Sequence, residues 1–582
     1  MKKKQINSAV SSPLIPEFPF IVISSLWLFF IVFKFFSYHQ VDLNQGYLFS
    51  MIGEFNFKGF ISLLVQYSFS TVILAGIVSG AFYVGDIILN GLLCIKTDTK
   101  LERLVFAIGI GFGVLGYMTF FLGLSGLLYQ SVFYPIWLFL TVAGIMRFKR
   151  TGFQENVYRI SSPSQKIIFI VLLLPVVFNM LMSFTPEMFY DSLNYHMGLP
   201  NYYMVHHRIQ ELPYKTNSHY PILISMLYLN GIVLKSEMVA KLINFSFGIM
   251  TIAAIIVFSL RHFKSLTGGL VAAMAYYFIP NVLYRNWTAT TDMGLTMFLF
   301  LSLSALMNSF SEDKNKWLIL SAILAGFGAA SKYTGVFFIF GMSILIFSSK
   351  HKTAIKLKKF ILWNAIWLIV FSPWLVKNYV ESGNPAYPFF TRYFTVKYPH
   401  IRNDNYTQEG SFDENPFANI EKRSFSDFWR LPWDLSIKAG GAGKYSSADY
   451  YMIGAVFIAF IPLIILLKRK HQMNIYRLII FLFFSYIFWN LFARGKIKYY
   501  APAFPALAAI TGYAVSQIKT INKKFAAVAI MICILMSLYN FIYMIPIAHT
   551  SYKPFSIDSS NMSAAFDQSL RFIYLLAFFI LY

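Results

Sequence analysis

Between Thr185 and Pro221 an otherwise apolar chain turns polar, and the residues gathered there are kinds that move protons. Glu187, Asp191, Tyr195 and His196 fall within ten positions. A carboxylate beside a reacting hydroxyl can take its proton as the oxygen attacks, and imidazole or phenol neighbours can hold the attacking molecule or tune the acid. If the passage is helical, the register Glu187-x-x-x-Asp191-x-x-x-Tyr195 puts these side chains on one face, with His196 alongside. An interfacial amphipathic helix with solvated polar groups would show the same pattern.

What must position these residues is a membrane-embedded scaffold. The 582 residues are 57% hydrophobic and 13% charged, with a mean hydropathy of +0.57; soluble domains carry about 25% charged residues. The net charge of +24 sits mostly in short links between apolar runs, where Lys and Arg set orientation, so nucleic-acid binding is not expected. Cys94 and Cys533 lie inside apolar segments and offer neither a disulfide framework nor metal-ligand spacing. No cleavable signal peptide is expected.

A span needs about 20 apolar residues. Candidates lie at 19–36, 64–92, 105–127, 130–146, 167–184, 238–260, 266–284, 291–309, 317–331, 334–349, 359–376, 450–467, 475–492, 499–517, 524–546 and 569–582. The fold class is therefore all-α, a polytopic membrane protein of roughly fifteen helices. Basic links at Lys2–Lys4, 147–166, 261–264, 350–359, 468–470 and 519–524 face the cytoplasm. Alternation then places 185–237 outside, provided that the short apolar run 221–235 dips without crossing. On the same count the link 285–290, Lys332, 377–449, Arg494 to Lys498 and 547–568 are also external.

The polar residues of interest thus collect on one side. Asp292 starts a span, where a carboxylate either caps the helix or orients an acceptor or a metal near Asp191. Lys332 follows a glycine-rich stretch and either snorkels to headgroups or meets a bound phosphate. Lys377 and Asn378 end a span after Pro373-Trp374. Arg494, Lys496 and Lys498 are cations on the outer side, against the positive-inside bias, which anionic lipid headgroups or an anionic ligand would explain. Asp86, within an apolar segment, is a further functional candidate. No phosphate-cradling glycine loop, dinucleotide fingerprint, HExxH or CxxC is present.

The order of these motifs resembles the GT-C superfamily of polytopic glycosyltransferases, near the protein O-mannosyltransferases and lipid A aminoarabinose transferases. Tyr190-Asp191 with Asn194-Tyr-His196 stands where members carry an acidic motif in the first large external loop; Asp292 stands at the second acidic position, and Lys332 at the lysine after an Ala/Gly-rich helix. Pro373-Trp374, Lys377-Asn378 and Gly383-Asn-Pro385 stand for the proline-tryptophan motif. The resemblance covers about 185 to 510. Two features depart from it: four spans precede the one leading into the acidic loop, and Glu187-x-x-x-Asp191 replaces a contiguous acidic pair, which leaves metal use open.

The domains expected are an unassigned helical addition at 1–166, a core at 167–376 with the acidic loop 185–237, a loop or lid at 377–449, and C-terminal helices at 450–582. The resemblance implies inverting transfer of a sugar from a polyprenyl-phosphate donor to a lipid, glycan or protein acceptor outside a bacterial inner membrane. Asp191, Glu187 and Asp292 would be catalytic, and Tyr195, His196, Lys332, Lys377, Asn378, Arg494, Lys496 and Lys498 would bind substrate. No cofactor beyond a possible divalent metal is implied. The alternatives are a transporter or flippase of lipid-linked glycans and a surface polysaccharide polymerase or ligase.

Overall fold

In the computed structural model, the described residues are 13–39, 65, 67–151, 159–234, 236–312, 315–391, 393–394, 397, 425–439, 452–467, 472–493 and 496–552. Arg494, most of the 377–449 loop and the candidate span 569–582 lie outside them. Among these residues the chain is helical, and the one extended pairing is an isolated bridge between Pro13 and Leu467.

Among the described residues five α-helices precede the polar passage: α1 (Glu17–Tyr38), α2 (Ser68–Asp86), α3 (Lys100–Leu124), α4 (Gln130–Arg150) and α5 (Pro163–Ser183). Their starts follow from local chemistry. Thr99 accepts the Glu102 N–H, and Ser162 with Gln165 closes a capping box ahead of Pro163. After the passage come α6 (Gly198–Val205), α7 (Leu223–Val233), α8 (Met238–Phe263) and the pair α9 (Leu266–Tyr277) and α10 (Pro280–Asn286), bent by 74°. The bend falls at Pro280, whose ring removes a helical N–H. Then follow α11 (Asp292–Glu312), α12 (Asn315–Ser331), α13 (Gly335–Leu345) and α14 (Thr353–Ser382). Within the long loop lies α15 (Phe425–Trp433), and beyond it α16 (Val456–Phe460), α17 (Gln472–Phe492), α18 (Phe504–Ile521) and α19 (Lys523–Tyr552).

Among the described residues, ten helices are long and apolar enough to cross a membrane, or eleven with the bent pair as one span. The chain is an integral, multi-pass membrane protein. The expectation of roughly fifteen full-length spans is corrected. The apolar runs near 334–349 and 450–467 fold as short helices, Gly335–Ser348 and Val456–Leu466, while α12 stops at 17 residues. Apolar content alone overcounts where helices are short and shielded by their neighbours.

Ion pairs divide the bundle into two ends. Asp86, Arg103 and Arg147 join the end of α2, the start of α3 and the end of α4, and Arg261 joins the end of α8 to Glu102 and Glu312. At the other end of α11, about 30 Å away at helical rise, Asp292 meets Lys332. The run after Pro221 forms α7, about 17 Å long, which does not cross. Its start packs beside Gly294 near the head of α11, and Ser236 beyond its end bonds Ser70 near the start of α2. Both ends of α7 therefore stay on the Asp292 side. α11 is buried from Asp292 to Ser309 and forms the axis of the core.

Candidate functional site

Four segments far apart in the chain meet at the head of α11. Asp292 Oδ1 accepts from Lys332 Nζ at 2.7 Å, and Asp292 Oδ2 lies 3.9 Å from Arg285 Nε. Lys498 Nζ lies 3.6 Å from Asp191 Oδ2. Tyr499 sits between the cations, with Lys332 Nζ 5.0 Å and Lys498 Nζ 5.4 Å from its ring centre. These are favourable cation–π distances. Lys332 follows α12, which lies antiparallel along α11 and is tied to it by Ser302 and Ser321; Lys498 enters on the 3-10 turn that precedes α18.

Asp191 stands at the head of a π-helical turn, Ser192–His196, that presents Tyr195 and His196 inward. Such turns recur at functional sites because the extra residue re-aims side chains. The His196 imidazole is buried, 3.3 Å from Ser225 Oγ, and burial, then Lys332, hold it neutral well below its ordinary range. Burial, reinforced by Asp191, drives the Tyr195 phenol well above its usual range, and burial likewise raises Tyr499. Both phenols stay protonated and able to donate. Asp191 keeps 27% side-chain exposure against 4% for Asp292, so an incoming hydroxyl can reach it.

The one-face register expected from Glu187 to Tyr195 is not formed. Residues 186–189 are not helical, because the Glu187 carboxylate captures the N–H groups of Met188 and Phe189 at 2.9 Å each and local bonds of this kind compete with helix. Its second oxygen accepts the Ala289 N–H. Both Glu187 oxygens thus accept from backbone donors. Among the described residues no group of three or more His, Cys, Asp and Glu side chains could hold a metal ion.

Lys377 and Asn378 stand in an adjoining network. Lys377 Nζ donates to Glu381 at 2.6 Å and to the Ser218 carbonyl at 3.0 Å, and Asn378 Nδ2 donates to the His219 carbonyl at 2.7 Å. Together they hold the 216–219 turn against α14. The two networks abut through Tyr333, whose hydroxyl receives Asn378 Nδ2 at 2.9 Å. Lys496 lies near enough to Tyr499 to offset part of the rise that burial gives its phenol; its carbonyl accepts from Trp489 Nε1 at 2.9 Å. Asp86 is bound by arginines at the opposite end of the bundle.

Sequence reasoning missed Arg285 and Tyr499. Arg285 is buried, with its guanidinium 4.6 Å from the Phe189 ring centre. It sits seven positions before Asp292, and its sign alone gave no reason to separate it from other loop cations.

Residues 223–376, from α7 into α14, match the family of dolichyl-phosphate-mannose-protein mannosyltransferases. Among curated proteins none matches. Among solved structures, the crystal structure of ArnT from Cupriavidus metallidurans bound to undecaprenyl phosphate is similar at 14% identity and a TM-score of 0.41, over 71% of this chain and 76% of that one. A likeness of that degree supports no conclusion. The matched stretch contains Arg285, Asp292 and Lys332, and over it the chain carries the pattern of the GT-C superfamily of polytopic glycosyltransferases that its motif order resembles.

Proposed function

We propose that the protein is a membrane glycosyltransferase that moves a sugar from a polyprenyl-phosphate donor to an acceptor hydroxyl on the extracytoplasmic side. One observation carries the reading: two carboxylates and three cations from four distant segments gather at one end of the bundle, with one carboxylate partly exposed. The family match over 223–376 supports the same reaction class.

In this reading Asp191 accepts the proton of the acceptor hydroxyl. The acceptor oxygen bonds to the anomeric carbon from the face opposite the phosphate. The bond from carbon to phosphate oxygen breaks with its electron pair leaving on the phosphate, and the sugar configuration inverts. Lys332, Lys498 and Arg285, with Lys496 beside them, stabilise the charge growing on that phosphate. Asp292 holds Lys332 and Arg285 in place. Neutral His196 and protonated Tyr195 hold the acceptor. Lys377 and Asn378 act by fixing the external 216–219 turn, and Glu187 has a positioning role.

The test is incubation of the purified protein with defined polyprenyl-phosphate sugars and candidate acceptors, measuring released polyprenyl phosphate. Release coupled to a glycosylated product is expected. Activity confined to pyrophosphate-linked donors would move the protein to the polymerases or ligases, and lipid movement without release would make it a transporter.

A further inference from the structure

Two buried polar residues of α8 that play no part in the chemistry above hold the loops that do. Lys241 Nζ donates to the carbonyls of Thr185 at 2.7 Å and Met182 at 2.9 Å, and to Thr185 Oγ1 at 3.0 Å, with the Pro186 carbonyl at 3.4 Å. It thereby fixes the end of α5 and the start of the segment that leads to Asp191. Three residues on, and so on the same face, Asn244 Nδ2 lies 2.6 Å from the Arg285 carbonyl, 2.7 Å from that of Thr288 and 3.3 Å from that of Asn286. It thereby fixes the turn that leads to Asp292.

Two further contacts close the frame. Glu187, on the first segment, accepts the N–H of Ala289 on the second. Tyr228 of α7 donates its hydroxyl to the Thr290 carbonyl and lies 3.2 Å from Asn244 Oδ1. One helical turn beyond Asn244, Gly248 lets α8 approach α10 so closely that a Cβ there would stand 2.3 Å from Asn286 Oδ1. A buried lysine and a buried asparagine are costly in a bilayer unless fully used. Here Lys241 donates to the 182–186 segment and Asn244 to the carbonyls of 285, 286 and 288.

We infer that Lys241, Asn244 and Glu187 form a positioning frame that sets the separation of the Asp191 loop from the Arg285–Asp292 turn. They are positioning residues, and Glu187 takes no part in proton transfer. The inference rests on the transferase reading for its kinetic consequences but not for its structural one. Displacement of a reacting group by about 1 Å can cost on the order of 100-fold in rate.

The experiment compares Lys241→Met, Asn244→Ala, Asn244→Asp and Glu187→Gln with wild type, by transfer kinetics across pH and by hydrogen exchange of the 285–291 amides. The frame predicts faster exchange at Ala289 in Glu187→Gln and across 285–291 in both Asn244 variants. It predicts kcat lowered by about 10- to 100-fold with the pH limbs of the rate profile where wild type has them. Asn244→Asp should be worse than Asn244→Ala, because an isosteric acceptor would then face three carbonyls. Unchanged exchange in every variant overturns the frame. A lost or displaced pH limb in Glu187→Gln overturns the positioning role and makes Glu187 an acid or base. If wild type transfers no sugar while the exchange pattern appears as predicted, the transferase reading fails and the frame stands.

Discussion

The two ends of α11 both bury acids against cations, yet they are built differently. At the Glu312 end the partners are arginines. Arg261 reaches Glu102 at 2.7 Å and also meets Glu312, while Asp86 takes Arg103 through both oxygens at 2.7 and 2.9 Å and Arg147 at 2.7 Å. Glu102 also accepts the Asp98 N–H at 2.7 Å. Asp86 is gripped by both prongs of the Arg103 fork, and Glu102 accepts one Arg261 nitrogen on both of its oxygens. At the Asp292 end the close partners are lysines, compact charges on flexible stems that can move to a new anion. There Asp191 is 3.6 Å from its lysine and 27% exposed, whereas the Asp86 side chain is 0% exposed. Similar residues are thus saturated ties at one end and, in the proposed reading, a working site at the other.

That contrast breaks if the Arg261 cluster proves catalytic. Arg261→Leu leaves the buried Glu102 and the partly exposed Glu312 without their guanidinium, and breaking a buried pair costs about 3–5 kcal/mol. A large drop in the thermal midpoint in detergent is expected, with transfer per folded molecule unchanged. A specific loss of turnover in protein that remains folded would erase the distinction between the ends.

At the other end, Lys332→Ala should lower kcat/KM for the donor by about 100-fold, since it removes a charge aimed at the leaving group and leaves Asp292 with only the more distant Arg285. The assay is donor-dependent release of lipid phosphate. Wild-type kcat/KM would show that Lys332 serves Asp292 alone.

The smallest effect is a pH dependence. Burial lowers His196 well below 6.5 in the folded protein, so the unfolded chain takes up this proton first as the medium is acidified. The stability from a neutral His196 is therefore present above pH 6.5 and is lost as pH falls below it. Between pH 7.5 and 5.5 the midpoint of wild type should fall further than that of His196→Gln. Equal falls would remove His196 from the balance.

Much of this arrangement was legible in the sequence. Basic links predicted which helix ends share a side, and Asp191, Asp292, Lys332 and Lys498 meet as that sidedness requires. The run after Pro221 was too short to cross and does not. The helical register of Glu187 was misread because helical spacing is only a conditional guide, and one of its carboxylate oxygens accepts the Met188 and Phe189 N–H groups instead. Lys241 and Asn244 went unnoticed near the start of an apolar span, although a buried cation there signals a partner. Which carbonyls they serve is a tertiary fact with no trace in local spacing.

The central claim is that Asp191 is the base of a sugar transfer at the Asp292 end of the bundle. The direct measurement is release of polyprenyl phosphate from a polyprenyl-phosphate sugar by reconstituted wild type and Asp191→Asn, at matched thermal stability. The account predicts turnover by wild type and a loss of about 10²- to 10⁴-fold in the variant. Equal release by both would contradict it.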